Sequence, residues 1–177
     1  MIEIRKAKEG EILSCYKVIE DAKRVFKENG STQWQDKDGY PNLETLRSDF
    51  NKDELYLVKA KDIIGVFVFS KTLEKCYENI VNGQWITSSN NYGVLHRIAI
   101  LKKFRGKGYA KLIMDYIDKL ALSFNLDSIK VDTMENNIEM RRTLIKSNYQ
   151  ECGTIYLLRK DVLDPKRIAY EKVVRRK

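Results

Sequence analysis

The sequence predicts an α/β chain of the α+β type. A central mixed, mostly antiparallel sheet of about six to seven strands would be flanked by about four helices. Two local patterns carry this reading. Residues 54–70 hold two apolar runs on either side of Lys61-Asp62, the pattern of an antiparallel hairpin. Residues 92–133 read strand, helix, strand, which demands a parallel pair with a right-handed crossover. A length of 177 residues suits one domain, 1–177, with an ordinary core.

The elements follow in order. Ile2 and Ile4 alternate with polar residues, as in a half-buried strand. From Glu9 to Asn29 the residues Ile12, Tyr16, Ile19, Ala22 and Phe26 recur at helical spacing, and Gly30 marks the stop. Residues 31–41 form a polar, aromatic loop. A short helix is expected from Leu43 to Phe50, then strands at Glu54–Ala60 and Ile63–Ser70. Residues 71–91 read as an insertion or long loop. Tyr92 to Leu101 is a strand and Gly108 to Asn125 a helix, whose stripe is Leu112, Ile113, Tyr116, Ile117, Leu120 and Phe124. Asp127–Thr133 is a strand and Asn136–Ser147 a helix. Three strands close the chain, near Tyr149–Gly153, Tyr156–Leu158 and Ile168–Val174.

Composition excludes several classes. Apolar residues make up 43% and charged residues 33%, so the chain is neither a disordered tail nor a membrane protein. The start, Met1-Ile2-Glu3-Ile4, has no apolar signal-peptide region, so a cytoplasmic location is expected. Cys15, Cys76 and Cys152 are widely spaced and read as reduced thiols. With one histidine there is no metal-site pattern.

The net charge is +8, and its distribution says more than its size. No acid stands between Glu78 and Asp115, where average composition would place about five. Six cations stand there: Arg97, Lys102, Lys103, Arg105, Lys107 and Lys111. Such a window suggests an anionic partner. The basic C-terminal stretch, Arg159 to Lys177, reads instead as a solvated surface. Nucleic acid is not expected, because no helix-turn-helix or RNA-binding-sheet pattern accompanies the charge.

The decisive segment runs from Ile98 to Leu112. A strand ends, a short basic loop with two glycines follows, and a long amphipathic helix begins. Helix N-termini present N–H groups without internal partners and bind phosphates. A dinucleotide fingerprint would need glycine at 111, where lysine stands, and no Walker A pattern occurs. The residues thus suggest a phosphate-bearing ligand that is not obviously NAD or ATP.

Arg105-Gly106-Lys107-Gly108-Tyr109-Ala110 resembles the coenzyme A pyrophosphate motif, Arg/Gln-x-x-Gly-x-Gly/Ala, of the GNAT family of N-acetyltransferases. The strand His96-Arg97-Ile98-Ala99-Ile100 resembles that family's fourth strand, and Asn137 with Tyr149 matches its Asn-helix in spacing. The likeness covers roughly residues 2–174 and implies the GNAT acyl-CoA acyltransferase fold. It implies acetyl-CoA as cofactor and transfer of an acetyl group to a primary amine of a small molecule or peptide, by direct attack in a ternary complex. Ile98 and Ile100, with Ala99 between them, would hold the pantetheine arm by backbone groups. Amides from Arg105 through Gly106, Lys107, Gly108 and Tyr109 to Ala110 would hold the pyrophosphate, and Asn137 would contact the cofactor. The Ile98 N–H would bind the developing oxyanion.

His96 is the candidate general base, because its unperturbed pKa near 6.5 suits the task. Glu135 is an alternative acting through water. The family's usual acid, a tyrosine seven residues after the helix asparagine, is Leu144 here. Tyr156 and Tyr149 are substitutes by residue type, and a Cys152 acyl-enzyme has no base beside it in sequence. Trp34, Asp36 and Tyr40, on the connection that covers the family's acceptor face, and Trp85 are candidate amine contacts, through charge and aromatic faces. The alternative reading is a non-catalytic acyl-CoA-binding sensor module. A monomer or homodimer is expected.

Overall fold

The structure is a computed structural model and describes residues 1–174. Arg175, Arg176 and Lys177, the end of the basic C-terminal stretch, lie outside the described residues. Seven strands form one sheet in the order β1-β2-β3-β4-β5-β7-β6. They are β1 (Glu3–Lys6), β2 (Leu55–Lys59), β3 (Ile63–Ser70), β4 (Tyr92–Ile100), β5 (Ser128–Thr133), β6 (Gln150–Tyr156) and β7 (Lys166–Val173). The helices are α1 (Ile12–Glu28), α2 (Leu43–Asn51), α3 (Tyr109–Ser123) and α4 (Ile138–Lys146). The pairs β1–β2, β2–β3, β5–β7 and β6–β7 are antiparallel and β4–β5 is parallel, so the sheet is mixed. The parallel register joins Tyr92–Val94 to Ser128–Lys130, the first three residues of each strand.

The chain divides into two compact units, and the boundaries fall inside β4 and inside α3. The first unit comprises residues 1–69 and 96–113. Its core is the inner stripe of α1 (Ile12, Cys15, Val18, Ile19, Ala22) packed with Leu46 of α2 and with Leu55, Leu57, Val66 and Val68 of the hairpin. Spacings of three and four put the α1 residues on one face, which is why the helix is buried on one side only. Helix α1 ends as its glycine predicts. Gly30 lies at φ +71°, the Gly30 N–H donates to the Lys27 carbonyl and the Ser31 N–H to the Phe26 carbonyl, satisfying two carbonyls of the helix end. Helix α2 begins at Asn42, whose side chain accepts from the Thr45 N–H while the Thr45 hydroxyl accepts from the Asn42 N–H.

The second unit comprises residues 70–95 and the chain from 114 onward. Its core includes Cys76, Tyr77, Tyr92, Val94, Ile155 and Ala169. Residues 71–91 contain one 3-10 turn, Lys75–Asn79, and are otherwise irregular. They are held down by Glu171 of β7, a fully buried carboxylate. It accepts from the N–H groups of Ile86 (2.6 Å) and Thr87 (3.2 Å) and from the Thr87 hydroxyl (2.6 Å). Three such bonds are what a buried carboxylate requires.

Three expectations change. The strands expected near Tyr149–Gly153 and Tyr156–Leu158 are one strand, β6, with an irregular register between Glu151 and Gly153. Gly153 is not a breaker there. A Cβ on it would lie 2.7 Å from the Val81 carbonyl, and Val81 bridges Thr154 at that point. The α3 stripe is also rotated. Met114 and Ala121 are buried with Ile113 and Ile117, whereas Leu112 is 44% exposed. The first helix splits into a 3-10 turn, Glu9–Glu11, followed by α1.

Candidate active site

The β4–α3 connection belongs wholly to the first unit. After Ile100 the chain makes one 3-10 turn, Lys102–Phe104, and reaches Arg105 in extended conformation. Gly106 follows at φ +71° and Gly108 at φ +85°, conformations that a side chain disfavours. The Gly108 carbonyl accepts the Leu112 N–H, so Gly108 opens the fifteen-residue α3. No atom lies within 4 Å of a Cβ placed on Gly106 or Gly108. The glycines are therefore demanded by backbone conformation, and the space before them is open. The loop is stiffened from behind. The Arg105 Nε–H donates to the Ile100 carbonyl at 3.0 Å, and the Lys102 N–H donates to the Asp21 carboxylate at 2.7 Å. Phe104 meets Tyr109 edge-on at 6.1 Å, with the Lys103 and Lys107 ammonium groups over the Phe104 ring at 5.2 and 5.4 Å. An exposed helix N-terminus with two glycines and a surround of cations fits a pyrophosphate.

His96 and Ile98 flank Arg97 in β4, and all three are half-buried. Arg97 lies at φ +47° within the strand, so regular strand geometry is broken between the candidate base and the candidate oxyanion donor. Its side chain is 13% exposed and forks onto Asp49 of α2, itself 5% exposed. The Nε–H donates to Oδ2 at 2.8 Å and the Nη2–H to Oδ1 at 2.5 Å. The Nη1–H donates to the Tyr40 hydroxyl at 2.7 Å. Burial pulls the guanidinium pKa down, but Tyr40 and Asp49 outweigh it and raise it above the ordinary value. In sequence Arg97 counts among the six cations of the acid-free window, but its charge is spent on Asp49, a residue that nothing in the sequence singles out.

The other first-unit candidates lie on the connection 31–41. Trp34 adopts φ +57° and sets its ring edge-on to Phe26 at 5.4 Å, against the unit's core. Asp36 is 8% exposed, so its carboxylate is not a solvated loop charge. Tyr40 precedes a cis proline and reaches Arg97.

The second unit holds the remaining candidates. Asn137 caps α4, its side-chain oxygen accepting the Met140 N–H at 3.2 Å. Glu135 is exposed and pairs with the Lys166 ammonium at 3.3 Å. Lys166 is the cross-strand partner of Tyr156, which is 47% exposed at the end of β6, so Glu135 and Tyr156 share one lysine as neighbour. Trp85 is engaged by its own unit. Its indole N–H donates to the Tyr77 carbonyl at 2.8 Å, and the Lys130 ammonium lies 4.4 Å from its ring centre. Tyr149 is a core residue with a hydroxyl unpartnered among the described residues. Burial, and then Asp118, pushes its pKa well above the ordinary value. Leu144 is fully buried. The thiols of all three cysteines are buried and free, and burial pushes Cys15 and Cys76 up to about 12.

A seven-stranded mixed sheet with a two-glycine loop between its fourth strand and its third helix defines the class, the GNAT acyltransferase fold. The chain belongs to the Acetyltransferase (GNAT) family, whose sequence profile matches residues 15–147. It is similar to a GNAT-family acetyltransferase from Streptococcus agalactiae. The identity is 30% and the TM-score 0.86, over 99% of this chain and 96% of that one. A GNAT-family acetyltransferase from Listeria monocytogenes is 21% identical with a TM-score of 0.71, over 97% and 94% of the two chains. The ribosomal-protein-S18-alanine N-acetyltransferase from Escherichia coli shares the fold at 8% identity, with a TM-score of 0.68 over 100% and 96%. No curated protein sequence matches this chain. Among the described residues, no helix is long and apolar enough to cross a membrane, and no group of three or more metal-binding side chains occurs.

Proposed function

We propose that this GNAT acetyltransferase transfers the acetyl group of acetyl-CoA to a primary amine, as one cytoplasmic N-acetyltransferase domain. The observation that supports this best is the glycine pair at φ +71° and +85° opening α3 in a loop rich in cations. On this reading the amides from Arg105 to Ala110 take the pyrophosphate, and backbone groups of Ile98, Ala99 and Ile100 take the pantetheine arm. Asn137 is a further proposed cofactor contact.

The reaction joins the amine nitrogen to the thioester carbonyl carbon, and the carbon–sulfur bond then breaks. One amine proton leaves to a base and the thiolate takes up a proton. An alkylamine near pKa 10 is mostly charged at neutral pH, so the base has more to do than the acid. His96 is assigned to the base, with Glu135 as the water-mediated alternative. The Ile98 N–H is assigned to the oxyanion. The leaving thiolate, of pKa about 8.5, needs little help, and Tyr156 is the assigned donor. Burial of the Cys152 thiol raises its pKa, which disfavours a thiolate and with it an acyl-enzyme route. Asp36 and Tyr40 are proposed to shape the acceptor side. The Trp34 ring contact supports anchoring of that loop, and the contacts of Trp85 support a similar role in the second unit.

The test is release of free thiol from acetyl-CoA across a panel of small amines and peptides. Turnover with at least one amine is expected. His96→Gln should lower kcat on the order of a hundredfold and remove the acidic limb of the pH–rate profile, with acetyl-CoA affinity kept. Tight acetyl-CoA binding without thiol release from any amine would favour the sensor reading.

A further inference from the structure

The connection 31–41 is tied to α1 by contacts that fix its course. The Lys23 ammonium donates to the carbonyls of Gly39 at 2.6 Å and Pro41 at 3.1 Å. The Gln35 side-chain amide donates to the Lys23 carbonyl at 2.8 Å, and Trp34 packs on Phe26. One contact differs in kind. Arg97 joins this connection to β4, and it does so from between His96 and Ile98.

We infer that Arg97 is a positioning residue that sets the 31–41 connection for the amine acceptor, through the Tyr40 hydroxyl and the buried Asp49 carboxylate. The inference rests on the acetyltransferase reading above and deepens it. A carboxylate as buried as Asp49 must be paired, and Arg97 supplies two N–H donors in a fork that matches it. That pairing immobilises the guanidinium plane and consumes Nε and Nη2. The Nη1 donor is then aimed in a fixed direction, where Tyr40 meets it. The Tyr40 hydroxyl thus meets a donor fixed by α2 and β4 together, while its N–H is held within the loop by the Asp38 carboxylate at 3.1 Å. The Arg97 backbone stands at φ +47°, so the same residue sets the chain direction between His96 and Ile98. Arg97 thereby links the connection to the strand that carries the candidate base. Pre-organisation of this sort lowers the ordering cost of binding. Lysine could not replace this arginine, because an ammonium has no planar fork.

The test uses Tyr40→Phe, Asp49→Asn and the double variant, with acetyl-CoA and the best amine of the panel. Each single change should raise KM for the amine about tenfold, the scale of one charge-assisted hydrogen bond. kcat should stay within about twofold, acetyl-CoA affinity should be unchanged, and amide exchange across 31–41 should quicken. The double variant should be no worse than the worse single one, because both act through Arg97. Multiplying effects would overturn the inference in favour of direct contact by Tyr40. An unchanged amine KM in Tyr40→Phe, or a joint fall of kcat, acetyl-CoA affinity and melting temperature, would overturn it as well. A wild-type protein that acetylates no amine marks failure of the acetyltransferase reading instead. Unchanged exchange in Tyr40→Phe then still overturns the loop-setting role. Tyr40→Phe removes one oxygen only and keeps the test decisive if Asp49→Asn does not fold.

Discussion

Gly108 shows how one residue can be fixed by two separate demands. Its φ of +85° costs any other residue roughly 1–2 kcal/mol, while the space before it is open. Alanine there should therefore still fold, with a loss of stability of about that size. Gly108→Asp adds a negative charge at the helix start proposed to take the cofactor's pyrophosphate. It should fold and lose acetyl-CoA affinity by at least tenfold in calorimetric titration, and unchanged affinity would move the phosphate site elsewhere. Glu11 gives a second residue-scale expectation. Its hydrogen bonds from Arg5, opposed by burial and helped by the Lys8 N–H, hold its pKa at about 2. A carboxylate depressed in the folded state stabilises above its unfolded pKa and loses that contribution as pH falls. The stability gap between the wild type and Glu11→Gln should be widest near neutrality. It should close between about pH 5 and pH 2 in urea melts.

At the scale of elements, Asn137 carries a local and a proposed distant role that one substitution would confuse. It caps α4 through the Met140 N–H. Asn137→Ala should cost about 1 kcal/mol for the cap alone. Asn137→Asp keeps the cap and places a carboxylate at a favourable helix start. If the Asn137 side chain contacts the cofactor, the aspartate variant should melt like wild type yet bind acetyl-CoA several-fold more weakly. Equal affinity would leave Asn137 with its cap only. Strand β6 teaches a related lesson. Gly153 resembles a strand end in sequence, but it marks the close approach of the 80–83 segment, where a side chain would meet a carbonyl.

Across the whole molecule, the three cysteines record how completely the cores are closed. Burial holds Cys15 and Cys76 near 12 and raises Cys152. Native protein at pH 8 should therefore react slowly with a thiol-specific disulfide reagent and yield three thiols rapidly in denaturant. Fast reaction of one thiol in the native state would reveal local opening of its unit. The basic surface makes a different expectation. Acetyl-CoA binding should survive 0.5 M salt better than any duplex DNA binding, whose affinity falls steeply with salt.

Much of this was written locally. Helix α1 announces itself by a stripe at intervals of three and four, and the 54–70 hairpin by two apolar runs around Lys61-Asp62. The loop that opens α3 shows itself by Gly106 and Gly108 between a strand and a helix. Each of these depends on residues a few positions apart, so periodicity and turn chemistry carry them. Three of the failures share one cause. Which face of α3 is buried, why Gly153 continues a strand, and what occupies Arg97 all depend on residues distant in sequence. Arg97 and Asp49 are 48 positions apart, and neither has a local reason to be buried. Only folding, by removing water from both charges, makes each the other's necessary partner.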